Sequence, residues 1–111
     1  MTDRESFKFL VRKWSKRLKV SPRQIRVQRM TRKWGSCSTL GYVSFAEDLL
    51  DQPPDFREFV IVHELLHLRI PNHGRLFHQT LKAHFPRANI LEKKLRDRKL
   101  TSGEARAVKS Q

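Results

Sequence analysis

Residues 5–19 carry Phe7, Leu10, Val11, Trp14 and Leu18 at helical spacing, with Lys and Arg filling the opposite face, which predicts a basic amphipathic helix. Ser21-Pro22 ends it, because proline brings no amide donor to continue the ladder. Ile25 and Val27 then alternate with basic residues and predict a strand that extends toward Met30. Trp34-Gly35-Ser36-Cys37-Ser38 is a compact stretch of mostly small residues, and Thr39-Leu40-Gly41 predicts a turn. Residues 42–45 predict a second short strand, so residues 25–45 read as a hairpin or meander.

The segment DQPPD at residues 51–55 predicts a loop at the approach to a helix, with Asp55 as its N-cap. Phe56, Phe59, Val60, Val62, Leu65 and Leu66 predict a strongly apolar helix reaching about Arg69 and buried on most sides. Pro71 interrupts it, since a proline pushes the residue before it out of helical geometry. A further helix runs from 74 or 75 to 84 and stops before Pro86. The last, over 88–99, carries Ile90, Leu91 and Leu95 among many charges. Residues 1–100 read as one domain, and the polar residues 101–111 as a flexible C-terminal tail. Helix, then strands, then helices is an α+β layout.

Composition narrows the class. The chain of 111 residues is 38% hydrophobic, with seven Phe and two Trp, which is globular and not disordered. Its one cysteine excludes an intrachain disulfide, and the first thirty residues hold no apolar segment of secretory or membrane-spanning length. These features predict a soluble, cytoplasmic protein with no membrane partner. The net charge of +13 is unevenly spread: residues 1–33 hold 12 Lys/Arg against 2 Asp/Glu, residues 34–74 hold 2 against 6, and residues 75–111 hold 10 against 3. Two basic flanks around a mildly acidic centre suit contact with a polyanion beside a cation-binding site. Nucleic acid is therefore an expected partner, with a nucleoid-associated location as the corollary.

The acidic centre contains His63-Glu64-Leu65-Leu66-His67, an HExxH match on the strongest predicted helix. Histidines at i and i+4 project from one helical face about one turn apart, so both imidazoles can reach a single metal ion while Glu64 faces its open side. The plain alternative is two ordinary surface histidines beside a glutamate. Against it stand the apolar surroundings, in which buried polar groups need partners, and a third histidine. His73 follows six residues after His67, just past the proline break. Three protein ligands with an open fourth position is the arrangement of a catalytic zinc, one ion per chain, and a single cysteine rules out a Cys-rich structural site. Zinc would activate water and polarise a carbonyl, with Glu64 as general base. Tyr42, Asn72, Arg69 and His78 are the candidates for oxyanion stabilisation or substrate contact. His84 reads as an ordinary histidine, and Cys37 as a small buried hydrophobe.

The run RKWGSCSTLGYVSF (32–45), followed by FVIVHELLHLRIPNHGRLFHQTLKAHFP (59–86), resembles the YgjP-like metallopeptidase domain family. Its members carry a WGSCS segment, a VxHELxHL helix and an NHxxxFW-type segment. His73-Gly74 and Phe77 are more distantly similar to the SprT-like and WLM-type zinc proteases, which act on proteins attached to DNA. The resemblance implies a zincin-like single domain, a small antiparallel β-sheet packed against an active-site helix and flanking helices. It further implies His63, His67 and His73 as zinc ligands, Glu64 as catalytic base, and an edge strand near 42–45 that binds an extended peptide. This chain departs from the pattern in its short N-terminal region and in His78, where the family tends to have an aromatic residue. The His67-to-His73 spacing also matches metzincins, but Ile70 stands at their glycine position and no methionine follows.

Three functions fit this reading. The first is a zinc metallopeptidase acting on a protein or peptide substrate. The second is a metal-dependent hydrolase of nucleotide or phosphate substrates. The third is a non-catalytic, zinc-stabilised nucleic-acid-binding module.

Overall fold

The computed structural model describes residues 2–101. The tail expected over 101–111 lies, but for its first residue, outside the described residues. Helix α1 (Arg4–Leu18) opens at Asp3, whose carboxylate accepts from the Ser6 amide at 2.7 Å, and closes on Lys19 in the left-handed region. It buries Phe7, Val11, Trp14 and Leu18 of the stripe that the periodicity predicts, while Leu10 is only partly buried. Phe7 meets Phe45 edge-on at 5.2 Å between ring centroids, and the Trp14 indole N–H donates to the Glu58 carboxylate at 2.8 Å.

Three strands follow: β1 (Gln24–Gln28), β2 (Gly35–Cys37) and β3 (Tyr42–Ala46). The sheet is mixed and not wholly antiparallel: β2 and β3 form an antiparallel hairpin, while β3 pairs with β1 in parallel, giving the order β1-β3-β2. Burial explains the order. YVSFA is the most apolar strand, with four of its five residues buried, and takes the centre, whereas polar QIRVQ and small GSC take the edges. Ile25 and Val27 register with Val43 and Phe45 on the face that packs against α1 and α2. The β2–β3 turn closes where expected, with Gly41 at φ 93°.

A 3-10 turn, Glu47–Asp51, leads to α2 (Pro54–Leu66). Its N-cap is Pro53 rather than Asp55. Asp55 falls inside the first turn, where its carboxylate accepts from the Phe56 amide at 2.7 Å, and Pro54 fills the first helical position, where no donor is needed. Helices α3 (Arg75–His84) and α4 (Ala88–Thr101) complete the chain. Leu91 of α4 is buried, but Ile90 is exposed. No helix among the described residues is long and apolar enough to cross a membrane.

Candidate metal centre

Helix α2 is central to the molecule and nine of its thirteen residues are buried, His63 and Glu64 among them at 5% and 6% exposure. Its last turn tightens. The amides of His67, Leu68 and Arg69 each donate to the carbonyl three residues back, and Ile70 donates to Leu66 at 2.7 Å. Pro71 has no amide to extend the ladder. His67 is therefore the C-cap and not a mid-helix residue, and the chain turns back at once.

That turn delivers His73, whose Nε2 stands 2.9 Å from the His67 Nε2. Ligand atoms of His63, His67 and His73 all lie within 4.8 Å of one another. Beneath them lies Phe77, fully buried one turn into α3, with its ring centroid 5.2, 4.8 and 4.7 Å from those of His63, His67 and His73. Burial lowers the pKa of His67, opposed in part by the Glu64 charge, and that of His73, reinforced by the neighbouring His63 and His67. Both imidazoles are thereby held toward the neutral form that ligates metal.

The donor set fits zinc. Two imidazole nitrogens facing each other at 2.9 Å, with a third close by, approach the spacing of about 3.3 Å that two nitrogens take around one tetrahedral zinc. The Glu64 Oε2 lies 3.3 Å from the His63 Nδ1, and a second carboxylate, that of Glu92 on α4, comes within 3.9 Å of the His63 Nε2.

The cluster opens into a cavity of about 760 Å3. One wall is the 32–39 segment including all of β2, and the other is α4 with Glu92, Leu95, Arg96 and Asp97. The free strand edge at the cleft is consequently β2. The strand at 42–45 is paired on both sides and has no backbone edge to offer. Cys37 is not a buried hydrophobe: it is half-buried on the cavity wall, and its thiol pKa is pushed up by burial and by the charge of Glu64.

Of the other sequence candidates, Tyr42 lies at the far end of β3, under the Arg26 guanidinium at 5.9 Å, and does not line the cavity. His78 points along α3 into a neighbouring groove, its ring 6.4 Å from that of His73. Asn72 and Arg69 are exposed outside the cavity wall, and Arg69 donates to the Leu18 carbonyl at 3.0 Å. His84 stacks edge-on against Trp14. The residues that sequence reasoning missed are Gly35, Phe77 as a platform, and Glu92. Phe77 was detectable as the residue one helical turn after His73. Glu92 is one charge among many on α4 and carries no local signal.

Residues 3–98 match the family model of the YgjP-like metallopeptidase domain, and the chain belongs to that family. It is accordingly a metallopeptidase, a hydrolase with a zincin-like α+β fold. Two solved structures share the fold. The metallopeptidase zymogen jannalysin of Methanocaldococcus jannaschii is 23% identical with a TM-score of 0.71, the match covering 85% of this chain and 94% of that one. The metallopeptidase zymogen abylysin of Pyrococcus abyssi is 19% identical with a TM-score of 0.69, covering 79% and 90%. No curated protein matches the chain significantly in sequence.

Proposed function

We propose that the chain hydrolyses peptide bonds with one zinc ion held by His63, His67 and His73 and with Glu64 as general base. The observation that carries the reading is the convergence of the three imidazoles beside a buried carboxylate at the floor of an open cavity. Zinc bound there would supply a water of near-neutral pKa and polarise the scissile carbonyl. Glu64, shielded from bulk solvent, takes a proton at its carboxylate and returns it to the leaving amine. Phe77 holds the imidazoles in place from below. The free edge of β2 supports an extended substrate lying along the cleft as an added strand.

The test is turnover of unfolded protein by the zinc-loaded chain. Activity that Glu64→Ala abolishes while zinc content stays near one per chain supports the reading. Activity that persists in Glu64→Ala overturns it.

Nucleic-acid association belongs to the same proposal and draws on α1. Arg12, Lys13 and Lys16 are exposed on its outer face, and among the described residues they have no ion-pair partner. The apolar face of α1 is spent on the core, which disfavours membrane insertion and leaves a polyanion as the natural counterpart. Binding that weakens steeply with salt is the expected behaviour, and salt-independent binding would contradict it.

A further inference from the structure

Two cavities lie side by side and differ in charge. The larger, which holds the histidine cluster, has as many cations on its walls (Arg32, Lys33, Arg96) as carboxylates (Glu64, Glu92, Asp97). The smaller, of about 490 Å3, lies between α3 and α4, where Arg75, Lys82 and Arg96 face a single carboxylate, Glu92. Glu92 and Arg96 line both, so the groove adjoins the metal centre. The Glu92 carboxylate is moreover turned toward His63, at 3.9 Å, which leaves the three cations to set the character of the groove. Among the described residues none of the three has an ion-pair or hydrogen-bond partner.

Helical spacing makes this a line and not a scatter. Arg75, His78, Gln79 and Lys82 follow one another at i, i+3, i+4 and i+7, which puts them on one face of α3. Arg75 and Lys82 are two turns apart, about 10 Å along the axis, or roughly three residues of extended peptide. A nucleic-acid strand would present only about three phosphates over that length. Length therefore fits either occupant, and it is the wall shared with the cleft of a metallopeptidase, through Glu92 and Arg96, that favours a polypeptide with a few acidic side chains.

We propose that the α3–α4 groove is a subsite for an acidic segment of the polypeptide substrate, whose carboxylates pair with Arg75, Lys82 and Arg96. As a substrate subsite it rests on the peptidase reading; as a site for acidic peptide it stands on the groove alone. The cleft itself is charge-balanced, so selectivity for acidic sequence arises on the α3–α4 side.

The experiment measures binding and needs no turnover. The full-length chain carrying Glu64→Gln is titrated with a labelled peptide containing four consecutive Glu, and with its counterpart containing Gln at those positions. The acidic peptide should bind about tenfold more tightly at about 50 mM salt, a margin that three exposed charge pairs of ordinary strength supply together, and the margin should shrink at higher salt. Arg75→Glu with Lys82→Glu should abolish it, and the milder Arg75→Gln with Lys82→Gln should reduce it. Lys13→Glu on α1 should leave it unchanged. Equal binding of the two peptides by the parent, or an undiminished margin in both groove variants, overturns the proposal. So does a single-stranded oligonucleotide whose binding is lost in the groove variants while the acidic peptide is ignored. If the groove behaves as proposed but the zinc-loaded chain cleaves no peptide, the peptidase reading fails and the binding site remains.

Discussion

Gly35 on β2 and Glu64 on α2 approach so closely that a Cβ at Gly35 would stand 2.9 Å from the Glu64 Cγ, with the Ser44 carbonyl at 3.2 Å and a Val60 methyl at 3.3 Å. At 2.9 Å from the Glu64 Cγ something must shift, and the backbone carbonyl of Ser44 is also tighter than an ordinary contact. The glycine inside WGSCS is thus a requirement of the glutamate one layer below it. Gly35→Ala is expected to displace the Glu64 side chain and lower turnover by about tenfold or more, a loss of positioning of the kind that costs catalysis before it costs binding. Zinc content measured on the same sample should remain near one per chain. A fully active Gly35→Ala would show that Glu64 has room to spare.

Removing one of the proposed ligands tests the metal centre itself. His73→Ala should lose most of its zinc by elemental analysis. The zinc-loaded parent should unfold at a temperature about 10 °C or more above the chelator-treated one, because a ligand at a thousandfold excess over its Kd stabilises by about 4 kcal/mol. Coincident melting of the two forms would remove zinc from the account.

The two roles proposed for Phe77, core packing and support of the imidazoles, can be separated. Phe77→Ala should destabilise the fold by about 3–5 kcal/mol, the usual cost of emptying a buried aromatic site. Phe77→Leu should fold with a modest loss and still bind zinc about tenfold more weakly, because the flat surface under three imidazoles is gone. A Leu variant with unchanged zinc affinity would reduce Phe77 to core packing.

Trp14 and Glu58 join α1 to α2 through one N–H···O bond of 2.8 Å. Trp14→Phe keeps most of the ring contact with Phe85 and removes the donor, leaving a partly buried carboxylate without it. Urea denaturation should report a loss of about 1–3 kcal/mol. Trp14→Phe combined with Glu58→Leu should recover part of it.

The N-cap of α1 carries a pH dependence. Hydrogen bonding to the Ser6 amide holds the Asp3 carboxyl below its ordinary pKa. A carboxylate whose folded pKa is depressed stabilises above its unfolded pKa and ceases to do so as the pH falls through the folded one. The urea midpoint of the parent should therefore exceed that of Asp3→Ala at neutral pH, and the gap should close as the pH drops below about 3.9. A gap of constant size across that range would assign the effect to something other than the charged cap.

Much of the helical architecture could be read from periodicity. The apolar stripe of α1, the buried run of α2 and the proline breaks at Pro22, Pro71 and Pro86 all carry local causes, and each helix lies within a few residues of where those causes put it, although α1 closes on Lys19 before Pro22 and α2 ends at Leu66, short of the expected Arg69. The sheet was less legible. GSC is too short and too small to announce a strand, and nothing in QIRVQ says that its partner is a later strand running parallel to it. The HExxH pair was legible because helical spacing is a local rule. His73 was legible as a candidate because a proline break permits a return, although the distance of its ring from His67 could be known only from the folded turn.

By itself the sequence determined that four helices form and roughly where, which face of each is apolar, and that three histidines and a glutamate belong to one short stretch. These properties depend on neighbours within a turn or two, and a turn is short enough for its geometry to be known in advance. Only the tertiary structure decided that β2 and not β3 borders the cleft, that Gly35 makes room for Glu64, and that Glu92 and Arg96 of α4 face the histidines and a basic groove at once. Each of these joins residues far apart in the chain, and such pairs meet only through the packing of several elements on one core, which no local pattern encodes.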